Sequence, residues 1–271
     1  MRLKITHVTT YSYDHPDAYA LQQLRLIPRS GHGQHVLDWQ TTTTGATRQL
    51  GYEDEFGNQV ELLLIEPDTT RVEIVSEGLV EVEDRSGVVG QQKNCAPLWL
   101  FEAATPFTAP GKTLRQLASK MKPKPNETGL ERAHRLSAKV SKLMTFTPGH
   151  TASHTTAEEA LQDGKGVCQD YAHIMIAAAR MIGWPARYVS GYLYMEDIED
   201  QDASHAWCEI WIEGLGWIGF DAANEICPDD RYVRVAIGRD YRDATPIHGI
   251  RHGSGHEDLH VALKVQAQTD Q

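Results

Sequence analysis

A chain of 271 residues, 41% hydrophobic and 23% charged, has the make-up of a globular protein with room for one large domain or two modest ones. Its 26 Lys and Arg against 37 Asp and Glu leave a net charge of −11 without a basic run, which argues against nucleic acid and anionic membrane surfaces as partners. The longest apolar run, around Ile174 to Ile182, is interrupted by Arg180 and is too short to span a bilayer.

The first stretch, Met-Arg-Leu-Lys-Ile-Thr-His, alternates polar and apolar residues and lacks the apolar h-region of a signal peptide. A strand is expected over Arg2–Tyr13, with Leu3, Ile5, His7, Thr9, Tyr11 and Tyr13 on one face. Further strands are expected at Leu21–Ile27, Val36–Thr42, Gln59–Ile65, Arg71–Val75 and Leu79–Val82, with a turn at Phe56-Gly57-Asn58. Such a series makes a sandwich-like or open-barrel module, residues 1–90.

Composition changes after Gly87. Helices are expected at Leu98–Ala104, Leu114–Met121, Leu130–Met144 and Ala157–Asp163, and from Cys168 onward. Thr155-x-x-Glu158 and Thr156-x-x-Glu159 both have capping-box spacing, and Lys122-Pro-Lys-Pro125 separates two helices. After Pro185 the pattern returns to strands: Ala186–Tyr194, His205–Glu213, Gly216–Ala222, Tyr232–Ile237 and Leu259–Val265. Helices followed by an antiparallel sheet give residues 91–271 an α+β layout.

Three segments carry chemistry. In Gly164–Gly183 a glycine-broken loop turns into a helix with Cys168 in its first turn. Tyr171, Ile174, Met175, Ala178, Met181 and Ile182 form one stripe, and Gly183 suits the position just past the helix end. A thiol there faces unpaired backbone N–H groups and the positive end of the helix dipole, a setting that favours thiolate. Taken alone, the segment is as well explained by a small apolar residue at 168.

In the second segment His205, Trp207, Glu209 and Trp211 share a strand face, and in the third Trp217, Gly219 and Asp221 do. A hairpin around Gly214 brings His205 and Asp221 to a common face only if its loop has an odd residue count. A loop of 213–215 satisfies this and sets Asp221 opposite Trp207, diagonal to His205. Nucleophilic thiol chemistry needs a thiolate, an imidazole to take and return its proton, and an acceptor to hold the imidazole. Cys168, His205 and Asp221 supply these parts.

Gly-Val-Cys-Gln-Asp-Tyr-Ala-His, His-Ala-Trp-Cys-Glu-Ile-Trp and Gly-Trp-Ile-Gly-Phe-Asp-Ala-Ala-Asn resemble the three signature segments of the transglutaminase-like superfamily. There they carry the nucleophilic cysteine, the histidine and the aspartate. His7-Val-Thr-Thr-Tyr-Ser-Tyr13, Leu24-Arg-Leu-Ile-Pro-Arg29, Asp54-Glu-Phe-Gly-Asn58 and the tail Val235–Asp243 resemble a bacterial group described as candidate cysteine proteases. The resemblance implies a papain-like core, the Cys168 helix on an antiparallel sheet bearing His205 and Asp221, behind a β-rich N-terminal module. Gln169 stands where animal crosslinking transglutaminases place Trp, which argues against protein crosslinking, and Ala-Ala follows Asp221 where Pro-Thr is common.

The leading expectation is a cytoplasmic cysteine peptidase or amidase, with no cofactor and no metal, acting through an acyl-thioester on a peptide or amide substrate. Four cysteines at 95, 168, 208 and 227, without a C-x-x-C pair, suit that reducing compartment. Acyl transfer to an amine, by transamidation or as in arylamine N-acetyltransferases, is one alternative. A non-catalytic binding module is another. The backbone N–H of Cys168 is expected in an oxyanion hole; Gln162, at the offset of a papain-type glutamine, is read as a solvated helix-ending residue.

Other signals are weaker. Gly214-Leu-Gly-Trp-Ile-Gly219 matches G-x-G-x-x-G but continues into a strand, against a dinucleotide site. His248, His252, His256 and His260 recur every four residues, but glycines 249, 253 and 255 point to a solvated loop rather than a metal-binding helix. Glu196, Asp197, Glu199, Asp200 and Asp202 precede His205 and raise the prospect of a cationic substrate.

Overall fold

Alternation at the start of the chain organises the first layer. In the computed structural model, which describes residues 1–15, 19–91, 96–252 and 256–268, β1 (Arg2–Tyr13) buries the six alternate residues from Leu3 to Tyr13. It is followed by β2 (Tyr19–Ile27), β3 (Gln34–Thr44), β4 (Ala46–Glu53), β5 (Gln59–Ile65), β6 (Arg71–Val82) and β7 (Val88–Gly90). The sequence suggested two strands where β6 runs unbroken through Gly78. A Cβ at Gly78 would lie 2.2 Å from the Asp38 carbonyl oxygen, so this glycine lets β3 cross closely rather than ending the strand. β4 was not expected: Ala46 is its only buried side chain, so a sheet edge leaves no alternating pattern to read.

After two short 3₁₀ turns come α1 (Lys112–Ser119), α2 (Gly129–Leu143), β8 (Thr145–Phe146), α3 (Ala157–Asp163), β9 (Lys165–Gly166) and α4 (Cys168–Met181). The region expected as a helix over 98–104 is one of those turns, Leu98–Phe101. Then follow β10 (Ala186–Leu193), β11 (Asp200–Gln201), β12 (His205–Ile212), β13 (Gly216–Phe220), β14 (Tyr232–Gly238), α5 (Tyr241–Ala244), β15 (Ile247–His252) and β16 (Glu257–Gln268).

The strands form three main sheets, ordered β11-β16-β1-β6-β3, β15-β2-β5-β4 and β14-β10-β12-β13-β7. The first two stack through Tyr11, Leu24, Leu63 and Ile74, a sandwich closed by strands from both chain ends. β15, in the stretch read as a glycine-rich loop, is a paired strand: Ile250 lies opposite Leu21 and His248 opposite Gln23. Leu3, Ile5 and Val80 of the sandwich pack on Tyr192, Val233 and Val235 of the third sheet. The other face of that sheet region receives the helices, so the architecture is α+β, a transglutaminase-like core behind a strand-rich module.

α4 is the central helix. Every residue from Asp170 to Arg180 is buried, between the third sheet and the other helices. Burial all round explains why its apolar stripe is broad. Its end is set by Gly183 at φ 85° and by Arg180, whose guanidinium donates to the carbonyls of Phe101, Ala186 and Arg239 and to Thr108 Oγ1.

Candidate active site

The start of α4 is built by a glycine and a buried carboxylate. Asp170, in the helix's first turn, folds back so that Oδ2 accepts from the Val167 N–H at 2.8 Å and from Thr151 Oγ1 at 2.7 Å. A Cβ at Gly166 would lie 2.4 Å from that oxygen, so only glycine leaves room for the fold-back. Burial pushes the Asp170 carboxyl up despite those hydrogen bonds. Gln169 donates to the Ser153 carbonyl at 3.2 Å, so the loop before α3 is tied to the helix start at two points. Cys168 sits between these anchors, half-buried, at the first helical position, where a backbone N–H has no acceptor within the helix. Sequence reasoning missed Asp170, although an acidic residue in the first helical turn is a capping signal.

The hairpin has the expected register. Ile212 pairs with Gly216, Ile210 with Ile218 and Cys208 with Phe220, leaving 213–215 as the loop. One step further Asp221 falls beside Trp207, diagonal to His205, and His205 Nε2 meets Asp221 Oδ2 at 2.6 Å. With Nε2 taken by Asp221, Nδ1 is the ring nitrogen left for the Cys168 thiol, which lies near enough to His205 to favour the charged imidazole. The structure thus brings together all three residues singled out in the sequence.

Asp221 is 1% exposed and accepts from more than the histidine. Tyr232 Oη donates to Oδ2 at 2.8 Å and Asn224 Nδ2 at 2.7 Å, while the N–H groups of Ala223 and Asn224 reach Oδ1 at 3.0 and 3.2 Å. Burial alone would raise its pKa, but the His205, Asn224 and Tyr232 donors outweigh it and hold the carboxyl below the usual range. Burial likewise opposes charge on His205, but its hydrogen bonds to Asp221 and Cys168 prevail and raise it to about 10. The His205 ring lies in an aromatic corner, stacked on Trp207 at 6.2 Å and edge-on to Tyr232 at 5.8 Å. Asn224 stands in the same short segment as Asp221. Tyr232 comes from another strand, and nothing local in the sequence marks it.

Of the other thiols, Cys208 is buried and Cys227 half-buried, and burial pushes both up, Cys227 to about 11. Cys95 lies outside the described residues. Gln162 is exposed and donates to Glu158 at 3.0 Å, as befits a helix-ending residue. Gly214 and Gly216 have φ near 82° and 87° and form a hairpin turn leading into β13, not a strand-to-helix turn. His248 and His260 lie on β15 and β16; the His252 side chain and Gly253–Gly255 lie outside the described residues. Among the described residues no three His, Cys, Asp or Glu side chains are grouped to hold a metal. In the acidic loop, Asp200 pairs through the backbone with Lys264, and Glu199 accepts from Gln266 at 2.9 Å.

Behind the site, between the sandwich and the third sheet, lies a cavity of about 380 Å³ bordered on its near side by Trp207 and Tyr232. Cys168, His205 and Asp221 do not line it. Much of its polar wall is spent internally: Gln34 and Asn58 bond backbone groups of Arg234 and Ile237, and Glu209 takes Arg187 and Arg234.

The profile of the transglutaminase-like superfamily matches residues 115–222, and that of the bacterial transglutaminase-like N-terminal region matches residues 3–81. An uncharacterized protein of Mycobacterium leprae is 31% identical, over 97% of this chain and 98% of the relative. The chain belongs to the transglutaminase-like superfamily. An uncharacterized Mycobacterium tuberculosis protein is 28% identical over 92% of this transglutaminase-like chain and 87% of its own. A solved structure from Cytophaga hutchinsonii, described as a proposed cysteine protease, shares the fold at a TM-score of 0.78 with 23% identity, covering 100% of this chain and 92% of that one. A Pseudomonas aeruginosa protein-glutamine gamma-glutamyltransferase is 29% identical over 92 residues, 31% of this chain and 14% of that protein. No helix among the described residues is long and apolar enough to cross a membrane.

Proposed function

We propose that this transglutaminase-like protein is a cysteine-dependent amide or peptide hydrolase with Cys168 as nucleophile, His205 as general base and acid, and Asp221 as the group that orients the imidazole. The observation that carries this reading is the 2.6 Å bond from His205 Nε2 to Asp221 Oδ2, with the Cys168 thiol neighbouring the same imidazole. Cys168 Sγ, its proton already held by His205, attacks the substrate carbonyl carbon as a thiolate. The oxyanion of the tetrahedral intermediate takes the Cys168 N–H. Collapse expels the amine, which leaves with the proton from His205, and an acyl-thioester remains. Water then attacks the thioester, His205 takes its proton, and the carboxylic acid departs as the thiol re-forms.

Transfer of the same acyl group to an amine is the second reading, supported by the short match to a gamma-glutamyltransferase. Gln169 in place of Trp argues against protein crosslinking as its outcome. The acidic residues of 196–202, exposed ahead of His205, favour a substrate with a cationic side chain; replacing them by amides should weaken turnover of basic substrates selectively. A reducing cytoplasm is the setting we propose, since it keeps the thiol available.

The test is the rate of alkylation by iodoacetamide against pH, followed by mass spectrometry at each cysteine. Cys168 should react faster than Cys208 and Cys227, persist below pH 7, and lose that persistence in His205→Ala. Labelling no faster than at the other two thiols would return the protein to the binding-module reading. Adding a fluorescent primary amine to a turnover assay then separates transfer from hydrolysis.

A further inference from the structure

The support behind Asp221 is more elaborate than orientation of a histidine by one carboxylate requires. Three donors converge on a single oxygen, Oδ2: His205 Nε2 at 2.6 Å, Asn224 Nδ2 at 2.7 Å and Tyr232 Oη at 2.8 Å. Two of them come from β12 and from the loop after β13. The third comes from β14, which joins the sheet on the far side of β10. Tyr232 is 4% exposed, and burial together with the neighbouring Asp221 charge pushes its phenol far above the ordinary range, so it remains a donor. Its ring also closes the corner around the imidazole, 5.8 Å from His205 and 5.4 Å from Trp207.

We propose that Tyr232 is a positioning residue of the active site, fixing the Asp221 carboxylate through its hydroxyl and the His205 ring through its edge. The proposal rests on the triad reading. A carboxylate with two free oxygens can rotate and let the imidazole follow. With Oδ1 held by two backbone N–H groups and Oδ2 by Tyr232 and Asn224, the oxygen that receives Nε2 has one place to be. That leaves Nδ1 as the ring nitrogen free for the Cys168 thiol. The titratable groups around this cluster are Cys168 from α4, His205 from β12, Cys208 on the helix-facing side of β12, and Asp229, which is paired with Arg231.

The variants are Tyr232→Phe, which deletes the hydroxyl and keeps the ring, and Tyr232→Leu, which deletes both. The readout is again Cys168 alkylation against pH, beside a melting curve. Loss of a donor to the ionised carboxylate favours its protonated form, so the acid limb of the profile should move to higher pH in Tyr232→Phe. The limb should move by about one pH unit, the tenfold worth of one hydrogen bond to a charged group, and at a pH on that limb the rate should fall by about that factor. Tyr232→Leu should fall further, because the imidazole loses its edge contact. Site-specific 3-fluorotyrosine at 232, a stronger donor that removes nothing, should move the limb the other way and stands in if the phenylalanine variant does not fold.

An acid limb unmoved in Tyr232→Phe, with the wild-type Cys168 still fast and dependent on His205, would overturn the tyrosine's role and leave the triad intact. A wild-type Cys168 no faster than Cys208 and Cys227 would remove both.

Discussion

His205 and Glu209 lie four residues apart on the same face of β12, and each is half of a buried charged cluster, yet the two clusters do different work. Glu209 is 1% exposed and takes Arg187 Nε at 2.6 Å on one oxygen and Arg234 on the other. Burial would raise its pKa, but the two guanidiniums outweigh it and hold it ionised. Arg187 is itself sealed, 0% exposed, with its guanidinium 4.1 Å over Trp217. A guanidinium never gives up its proton in a protein, so this cluster can hold the sheet but cannot move a proton. At the end of the strand the carboxylate's partner is an imidazole with 13% of its side chain exposed, beside a thiol at a helix start. Burial and a strong ion pair are therefore common to both; an exchangeable proton and access to solvent distinguish the second.

The largest effects should separate the clusters most sharply. Cys168→Ala should lower turnover by at least about a thousandfold while leaving the denaturant midpoint close to wild type, because loss of a nucleophile removes the step itself. Glu209→Gln should do the reverse. It leaves the buried Arg187 and the half-buried Arg234 short of an anion and should cost about 3–5 kcal/mol in urea unfolding, with alkylation of Cys168 in the folded fraction little changed. Parallel losses of activity and stability in both variants would erase the distinction.

The same contrast explains what was legible in the sequence. The places of Cys168, His205 and Asp221 in the fold were readable because each belongs to a local pattern: a helix start, a strand face, and a hairpin whose odd loop forces the register. Arg187, Glu209 and Arg234 looked like ordinary strand residues, because their meeting depends on β10 pairing with β12 and on β14 pairing with β10 from the other side. Tyr232 stayed hidden for that reason. Asp170 escaped for a different one: a first-turn acid is usually a solvated cap, and only the space left by Gly166 lets it fold inward. In the fold, elements with one buried face were readable, down to α3 at Ala157–Asp163, whereas β4, with one buried residue, was not.

Histidines extend the comparison to pH. His7 and His173 are buried without a carboxylate partner, and burial lowers them to about 4 and about 3. Unfolded, each would titrate near 6.5, so below that pH the unfolded chain binds more protons and stability falls as pH falls toward 4. The slope should approach about 1.4 kcal/mol per pH unit for each histidine. His205 has the opposite sign. Its raised pKa gives stability that is complete below about 6.5 and is lost as pH rises toward its folded value near 10. Urea titrations from pH 4 to 9 should therefore show a maximum near 6.5. His205→Ala should flatten the alkaline side alone, and an unchanged alkaline slope would refute the assignment of that proton to His205.

A smaller effect tests a carboxylate that belongs to neither cluster. α1 begins after Gly111, which has no side chain to cap it, and the missing cap comes from α3: Glu158 accepts the N–H of Thr113 at 2.7 Å and of Leu114 at 2.9 Å. The capping box that opens α3 uses Thr156 and Glu159 instead, which frees Glu158 from the Thr155 spacing and lets it reach across. Burial weighs against its charge, but the donated N–H groups prevail and lower its pKa. Glu158→Gln keeps an acceptor and loses the charge, so it should cost about 1 kcal/mol, the scale of one cap at a helix N-terminus. Gly111→Ala should cost more, since a Cβ there would come within 2.0 Å of the Glu158 carboxyl carbon and displace it. The two changes strike one interaction, so the double variant should fall short of their sum. Full additivity would mean that Glu158 does not cap α1, and that the packing of α3 on α1 alone carries the effect.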